Sequence, residues 1–511
     1  MWVDDEIEFL TPHIRFLEER GFTVLQFTNG HDAINEFETN HQIELAILDE
    51  SMPGLTGLQT LEQLKNIRRG LPTVMVTKNE SDETINQAVG NEVSVFLLKP
   101  VNATQVYATI TGLLKKKEIV EQNNNQGYLK DYQNISNEIS GKPDFKEWVN
   151  IYKKILNWEI KLGAGEERTM MSTLQNQKSE ANKAFSKYIS NNYENWLKTN
   201  SGPVLSHQLL QEKVFPFLKN QEKTIFLLLD NLRYDHWMAI EPIINEAFRV
   251  EEEDSFYSIL PTTTQYSRNA IFSGMTPFMM ARNFPDHWKN DIDVGGKNES
   301  EHFFLERQLT LYFGKSFSFD YLKITNSETG VLLENNIHNY LQKNFLAIVY
   351  NFIDIVSHVR TEMDVMKELV HDEHTYRKLI ANWFESSSLW KALKKAAQKG
   401  VRLVVTTDHG TIRVNRPSKV QADKESTNNL RYKVGKNLNF NQNDVLSTRK
   451  PQDFGLPSPN ISSSYVFALE DYYFLYPNNF HKFKELYENT FQHGGISMEE
   501  MICPIVRLVS K

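Results

Sequence analysis

Up to about residue 115, largely apolar runs alternate with stretches of helical periodicity. Phe22 to Phe27, Ile43 to Leu48, Thr73 to Thr77 and Val93 to Leu98 have the look of strands buried on both faces. A helical stretch after each strand predicts a parallel sheet. From about Lys116 to Pro143 the chain turns to Asn, Gln, Lys and Glu, centred on Gln122-Asn123-Asn124-Asn125-Gln126. Too few large apolar side chains remain there for a core of its own, which predicts a polar helix or linker. Between Phe145 and about Leu218, Trp148, Tyr152, Ile155 and Trp158, then Phe185, Tyr188, Ile189 and Trp196, mostly fall at helical steps, predicting a small helical bundle. Thr224 to Leu229, Leu346 to Tyr350 and Val401 to Val405 open a second, larger α/β unit that runs to the C-terminus. The expected organisation is an α/β domain over 1–115, a helical linker or bundle over 116–221 and an α/β domain over 222–511, with no internal repeat.

A chain of 511 residues suits about three domains at roughly 150 residues each. The 65 acidic and 56 basic side chains leave a net charge of −9, which argues against indiscriminate binding to polyanions. One cysteine, Cys503, excludes an intrachain disulfide and a thiolate metal cage, so a metal would depend on the 14 histidines and the carboxylates. No apolar run reaches the roughly 18 to 20 residues that span a bilayer. The start, Met1-Trp2-Val3-Asp4-Asp5, is neither a signal peptide nor a transit sequence. The expectation is a soluble, cytoplasmic protein without membrane insertion.

In open parallel sheets, ligands gather at the C-terminal ends of the strands. Asp4 and Asp5 end the first predicted strand, Asp49 the third, Thr77 the fourth, and Lys99-Pro100 the fifth. Clustered carboxylates offer hard oxygen ligands for Mg2+ beside a carboxylate that can accept a phosphoryl group. Lys99 would neutralise the phosphoryl oxygens and Thr77 would hydrogen-bond one of them.

Val3-Asp4-Asp5-Glu6, Leu48-Asp49-Glu50-Ser51-Met52-Pro53-Gly54, Val76-Thr77-Lys78 and Leu98-Lys99-Pro100 together resemble the receiver domain of two-component response regulators. The resemblance covers about residues 1 to 115 and implies a flavodoxin-like sheet of order 2-1-3-4-5. It makes Asp49 the phosphoacceptor, makes Asp4, Asp5, Asp49 and the Ser51 carbonyl the Mg2+ ligands, and makes Phe96 the aromatic that turns with Thr77. Only three residues precede Asp4, so the first strand is shorter than the family's and the expectation is that the true start lies upstream.

A second set of strand ends carries Asp230 and Asp408-His409. Asp354 and His358 are four apart, which puts a carboxylate and an imidazole on one helical face. His493 precedes Gly494-Gly495, where the backbone can approach an ion closely. Three Asp and three His without a thiol suit Zn2+, or with some loss of fit Mn2+. Two such ions roughly 3.5 to 4 Å apart would activate a hydroxyl for displacement at phosphorus. That hydroxyl is one of Thr262-Thr263-Thr264, placed after an expected strand Phe256 to Leu260 and at the start of a helical run ending in Ser273-Gly274.

The ordered set of Asp230, Pro261-Thr262-Thr263-Thr264 to Gly274-Met275-Thr276-Pro277, Asp354-x-x-x-His358, Thr407-Asp408-His409-Gly410 and His493-Gly494-Gly495-Ile496-Ser497 resembles the PglZ branch of the alkaline phosphatase superfamily, over about residues 222 to 511. The resemblance implies Thr264 as nucleophile, with Thr263 its nearest rival. It implies one Zn2+ on Asp354, His358 and His493, and the other on Asp230, Asp408, His409 and the Thr264 oxygen. The sulfatase branch is disfavoured, because Cys503 lies far from any Cys/Ser-x-Pro-x-Arg pattern.

From Thr411 to Gly455 there are nine Lys or Arg against four acids. Tyr432, Phe440 and Phe454 are interleaved, which reads either as an oligonucleotide- or cyclic-nucleotide-binding segment or as a solvated loop. Arg268 stands open between a phosphate contact and a core salt bridge. Taken whole, receiver, helical connector and hydrolase resemble the PorX-like response regulators tied to type IX protein secretion. That resemblance implies a sensor histidine kinase, a homodimer on phosphorylation, a zinc-dependent phosphodiesterase acting on linear or cyclic oligonucleotides, and contact with a sigma factor or secretion-motor protein. The rival readings are a signalling adaptor whose zinc is structural and a phosphomonoesterase.

Overall fold

The computed structural model describes residues 1–78, 93–163, 168–199, 201–218, 223–362, 372–421, 427–460, 462–478 and 480–511. They fold as two compact units, Met1–Leu129 and Lys130–Lys511. The expected junction at 221/222 lies outside the described residues.

The first unit is a five-stranded parallel sheet of β1 (Trp2–Val3), β2 (Gln26–Phe27), β3 (Ala46–Asp49), β4 (Thr73–Thr77) and β5 (Val95–Leu98), in the order β2-β1-β3-β4-β5. Successive residues alternate between two cores, as strand geometry requires. Val3, Ala46, Leu48 and Met75 face one core, with the helices Gly30–Thr39 and Gly57–Ile67. Trp2, Ile47, Val74 and Val76 face the other, with Thr11–Glu18 and Ala103–Leu114. β2 is shorter than the run Phe22 to Phe27 because its one neighbour, β1, offers two residues to pair with. Gly57 opens its helix where a Cβ would lie 2.4 Å from the Asp49 carbonyl oxygen, so only glycine lets the chain pass under the end of β3.

In the second unit a six-stranded sheet is built from β6 (Thr224–Leu229), β7 (Phe248–Tyr257), β8 (Phe319–Ile324), β9 (Phe345–Tyr350), β10 (Arg402–Thr406) and the C-terminal strand Ile502–Ser510. β10, β6, β9 and β8 run parallel, and the C-terminal strand lies antiparallel between β10 and β7. β6 and β9 are buried along their whole length, which accounts for their unbroken apolar runs. The expected strand Phe256 to Leu260 is corrected. The strand is Phe248–Tyr257, at the sheet edge, and its exposed acidic residues Glu251 and Glu252 hide it from an apolar reading.

The polar segment after residue 115 is a helix, Lys116–Ser140, followed by Phe145–Leu162 and Arg168–Thr199. A capping box of Asp144 with Glu147 starts the second of these. Trp148 meets Phe185 at 5.4 Å, and Gln177 donates to the Tyr132 carbonyl and to Ser136 Oγ. The helix Phe145–Leu162 also packs on the large sheet: Tyr257 donates to the Phe145 carbonyl at 2.7 Å.

The basic stretch after Thr411 is corrected as well. It forms strands Ile412–Arg413, Arg416–Gln421, Tyr432–Gly435, Asn439–Phe440 and Val445–Thr448. Arg431 is buried against Glu500, Lys433 is buried, and Arg416 pairs with Glu470 and Asp471. Tyr432 and Phe454 are buried, so neither ring is free to stack on a base, whereas Phe440 is half-buried. Asp423, Lys424 and Glu425 lie outside the described residues.

Candidate active site

The parallel sheet of the first unit brings Asp4, Asp5 and Asp49 to one edge, with carboxylate oxygens within 4.8 Å of one another. Lys99 Nζ lies 2.9 Å from an oxygen of both Asp4 and Asp49. Asp4 and Asp49 are buried and Asp5 is exposed. Burial raises the Asp49 carboxyl above its ordinary range, against the pull of Lys99. Burial works against the Lys99 ammonium, but its bonds to Asp4 and Asp49 outweigh that and raise it. The Ser51 amide hydrogen-bonds the Asp49 carboxylate. Thr77 Oγ1 donates to Glu50 Oε2 at 3.3 Å, and Phe96 is half-buried against the core that holds Leu48 and Met75.

The second unit gathers two more clusters. Asp230 follows β6, Asp408-His409 follow β10, and Asp354 and His358 lie on the helix Phe352–Glu362 that follows β9. Asp354, His358 and His493 form one triplet and Asp230, Asp408 and His409 the other, each with ligand atoms within 4.8 Å. Asp354 Oδ1 lies 3.5 Å from His358 Nε2 and 3.7 Å from His493 Nε2. The rings of His409 and His493 stack at 4.4 Å and bring the triplets side by side.

Thr264 begins the helix Thr264–Ser273. Its hydroxyl donates to Asp230 Oδ1 at 3.2 Å and lies 3.1 Å from His409 Nε2. Thr262 and Thr263 are buried, whereas Thr264 is partly exposed. Thr262 Oγ1 is engaged elsewhere, donating to the Gly495 carbonyl and accepting from the Gly494 amide. Of the three threonines, Thr264 is therefore the one whose hydroxyl meets the carboxylate–imidazole cluster.

Burial raises the Asp230 carboxyl well above the carboxylate range, and Asp408 adds to it, while Arg268 opposes. Burial pushes the His493 imidazole down to about 3, aided by His409, which leaves a neutral ring suited to ligation. At Asp354 burial works upward, but the bond from His358 and the neighbouring imidazoles hold the carboxyl below its usual range. Asp408 Oδ2 is buried without a hydrogen-bond donor. Such an orphaned carboxylate oxygen among N and O donors fits a bound divalent cation.

Arg268 settles on the salt bridge. It is 1% exposed, with Nη1 2.6 Å from Asp230 Oδ2 and Nε 2.6 Å from Glu301 Oε1, so its guanidinium is committed within the protein and the phosphate contact is corrected. The glycines after His493 have a role other than the expected one. Gly494 has φ 122°, and a Cβ there would lie 2.8 Å from Tyr432; at Gly495 it would lie 2.5 Å from the Ala468 carbonyl. Close packing against protein, rather than approach to an ion, accounts for both.

Sequence reasoning missed Asn231, Glu301 and Asn298. Asn231, in the left-handed region at φ 67°, donates from Nδ2 to Asp354 Oδ1 and Ser357 Oγ and from its amide to Asp408 Oδ1, so it touches both triplets. The Asp-Asn step directly after an apolar strand was its available signal. Asn298, which donates to the Thr264 carbonyl at 3.0 Å, and Glu301 had none.

The model of the family described as BREX system PglZ alkaline phosphatase-like domain matches residues 209–508. The PorX response regulator linker domain matches 118–197, and the response regulator receiver domain matches 1–111. Among curated proteins, the chain is 29% identical over 119 residues to the alkaline phosphatase synthesis transcriptional regulatory protein PhoP of Bacillus subtilis, covering 23% of this chain and 48% of that protein. It is 32% identical over 116 residues to the CpxR homolog of Haemophilus influenzae, covering 22% and 49%. The chain thus spans about half the length of these relatives. Among solved structures, a CheY-like receiver domain protein of Methanospirillum hungatei is 26% identical, covering 23% of this chain and 93% of its own, with a TM-score of 0.22. The NtrX receiver domain of Brucella abortus is 24% identical, covering 22% and 96%, with a TM-score of 0.21.

Proposed function

From a chain that belongs to the PglZ alkaline phosphatase-like family and carries a response regulator receiver ahead of that domain, we propose a phosphorylation-controlled, zinc-dependent phosphodiesterase. One observation carries the reading: the Thr264 hydroxyl lies against Asp230 and His409 of one triplet, with the His493 triplet stacked beside it. Asp354, His358 and His493, and Asp230, Asp408 and His409, would each hold a divalent cation, which would supply the positive charge that favours ionisation of a hydroxyl and displacement at phosphorus. Thr264 is the nucleophile: its hydroxyl gives its proton to solvent, Oγ bonds to phosphorus as one ester oxygen departs and takes a proton from water, and the threonine ester that remains, still carrying the substrate's other ester group, is cleaved by water. The amides in the first turn of Thr264–Ser273 face the anionic substrate. Arg268 holds the other oxygen of Asp230 and opposes the rise that burial and Asp408 impose on that carboxyl. Asn231 holds Asp354 and Asp408 in mutual register.

The receiver is phosphorylated on Asp49 by a sensor histidine kinase, with Mg2+ held by Asp4, Asp5, Asp49 and the Ser51 carbonyl. The charged group then draws Thr77 toward it and Phe96 turns inward, changing the face on which two receivers associate. Pairing raises the effective concentration of hydrolase sites along one substrate. A linear or cyclic oligonucleotide is the proposed substrate, and regulation of type IX secretion, through a sigma factor or motor protein, the proposed setting. Dimerisation driven by a phosphate mimic should speed cleavage of long oligonucleotides more than that of a small chromogenic diester. Equal gains would instead point to a direct change at Thr264 and its neighbours.

The test is metal analysis of the purified protein followed by turnover of a mononucleotide ester and a diester. Two zinc equivalents and faster diester cleavage are expected. Sub-stoichiometric zinc with no turnover of either would overturn the enzyme and leave the adaptor, and a preference for the monoester would make it a phosphomonoesterase.

A further inference from the structure

We propose that one face of the helix Arg168–Thr199 holds the two halves of the active site in register, with Asn182 and Tyr193 as positioning residues. The inference rests on the catalytic reading of the two triplets. Lys178, Asn182 and Ser186 recur every fourth residue and Tyr193 follows seven later, so all four lie along one stripe of the helix.

The first three grip the segment that follows His493. Asn182 Oδ1 accepts from the Met498 amide at 2.8 Å, and its Nδ2 donates to Glu499 Oε2 at 2.9 Å. Lys178 Nζ lies 3.1 Å from Glu499 Oε1. Ser186 Oγ donates to the Ile496 carbonyl at 3.3 Å and accepts from the Glu470 amide. Tyr193 grips the other half: its hydroxyl oxygen accepts from the Leu260 amide at 2.8 Å, where the turn that ends at Thr264 begins. Thr262 closes the circuit by bonding both Gly494 and Gly495.

His493 and Thr264 are thus carried on two segments that are tied to each other and pinned to one helix, at points roughly 10 to 16 Å apart along its axis. Asn182, Ser186 and Tyr193 are buried. Burying polar groups costs stability unless each is satisfied, and contributes chiefly by selecting one arrangement. A helix serving only as a spacer would turn such a stripe to water and pack with its apolar residues. A continuous helix is also stiffer than the loops it holds, so it sets the distance between a metal ligand and the nucleophile.

The experiment uses the full chain, stripped of metal and reloaded with Zn2+, as wild type, Asn182→Ala and Tyr193→Phe. Zinc affinities are read by chelator competition, and kcat and KM on a chromogenic phosphodiester. Asn182→Ala should weaken one zinc equivalent by about tenfold or more and leave the other within about twofold, with kcat lowered and KM little changed. Tyr193→Phe should leave both affinities within about twofold and lower kcat by about threefold to tenfold. Two zinc equivalents weakened alike, or wild-type kcat in Tyr193→Phe, would overturn the proposal. If Asn182→Ala does not fold, Tyr193→Phe, which loses one oxygen atom, decides alone. Active, zinc-loaded wild type with both variants indistinguishable from it sinks the positioning role only. Wild type without zinc or turnover sinks the catalytic reading and this inference together.

Discussion

At the ends of β1 and β3, Asp4 and Asp49 share one ammonium, Lys99, at 2.9 Å from each, and Asp5 stays in solvent. At the ends of β6 and β10, Asp230 and Asp408 are both buried, and the nearest internal cation, Arg268, reaches Asp230 at 2.6 Å but Asp408 only at 3.9 Å. Both centres use the same sheet geometry to converge carboxylates. They differ in how the negative charge is balanced. The receiver carries its own counter-cation, Lys99, between its two buried carboxylates. The hydrolase centre leaves Asp408 Oδ2 without a donor and surrounds it with imidazoles, which suits tightly held divalent cations. The first centre spreads one ammonium over two buried carboxylates, whereas the second leaves one buried carboxylate oxygen without a donor.

The sharpest way to break this contrast is to remove the nucleophile alone. Thr264→Ala should lower turnover at least roughly a thousandfold while zinc content, measured by atomic emission, stays within about twofold, because three protein ligands remain at each triplet. If Thr263→Ala is the dead variant instead, the assignment is off by one residue.

Next in size are the ligands. His358→Ala and Asp408→Ala should each weaken zinc binding by about 10- to 100-fold, read by chelator competition. Asp49→Ala, in the other centre, should leave zinc binding of the same chain within about twofold. Full zinc occupancy in both ligand variants would show that the triplets do not hold metal.

A smaller effect should convert one centre toward the other. In Lys99→Met, Asp49 loses the group that lowers its pKa, and burial and Asp4 raise its folded value further. A raised folded pKa means that the native state binds more protons than the unfolded state, so receiver stability falls as pH rises above the ordinary carboxylate value of 3.8. Protection factors of the β1 and β3 amides, with the intrinsic pH dependence of exchange divided out, should therefore be lower at pH 7 than at pH 5 in metal-free buffer, and Mg2+ should restore them. Protection factors insensitive to both would mean that Lys99 does not balance these carboxylates.

The smallest expected change is in neither centre. Asp144→Ala removes the capping box of Phe145–Leu162 and should cost about 1 kcal/mol, visible in thermal unfolding, with zinc affinity unaltered. A loss of zinc in that variant would mean that the helical segment governs the centre through its general stability rather than through Asn182 and Tyr193.

Asp49, Asp230, Asp408 and His409 were legible in the sequence because each follows an apolar run whose meaning is local: a buried parallel strand ends where its residues stop being apolar, and its end is where ligands collect. Asp354 and His358 were legible because helical spacing is also local. Which of Thr262, Thr263 and Thr264 meets Asp230 was decided only by the tertiary structure, through the point at which the helix Thr264–Ser273 begins and the engagement of Thr262 with Gly494 and Gly495. The fate of the basic stretch was decided the same way. Glu500, which buries Arg431, and Asp291, which bonds Tyr432, lie 69 and 141 residues away in the chain. Composition counts charges along the sequence, whereas burial depends on pairing across it. The same holds for Asn182 and Tyr193, a polar stripe on a helix whose partners, Met498 and Leu260, lie 316 and 67 residues away and come within reach only when the sheet is assembled.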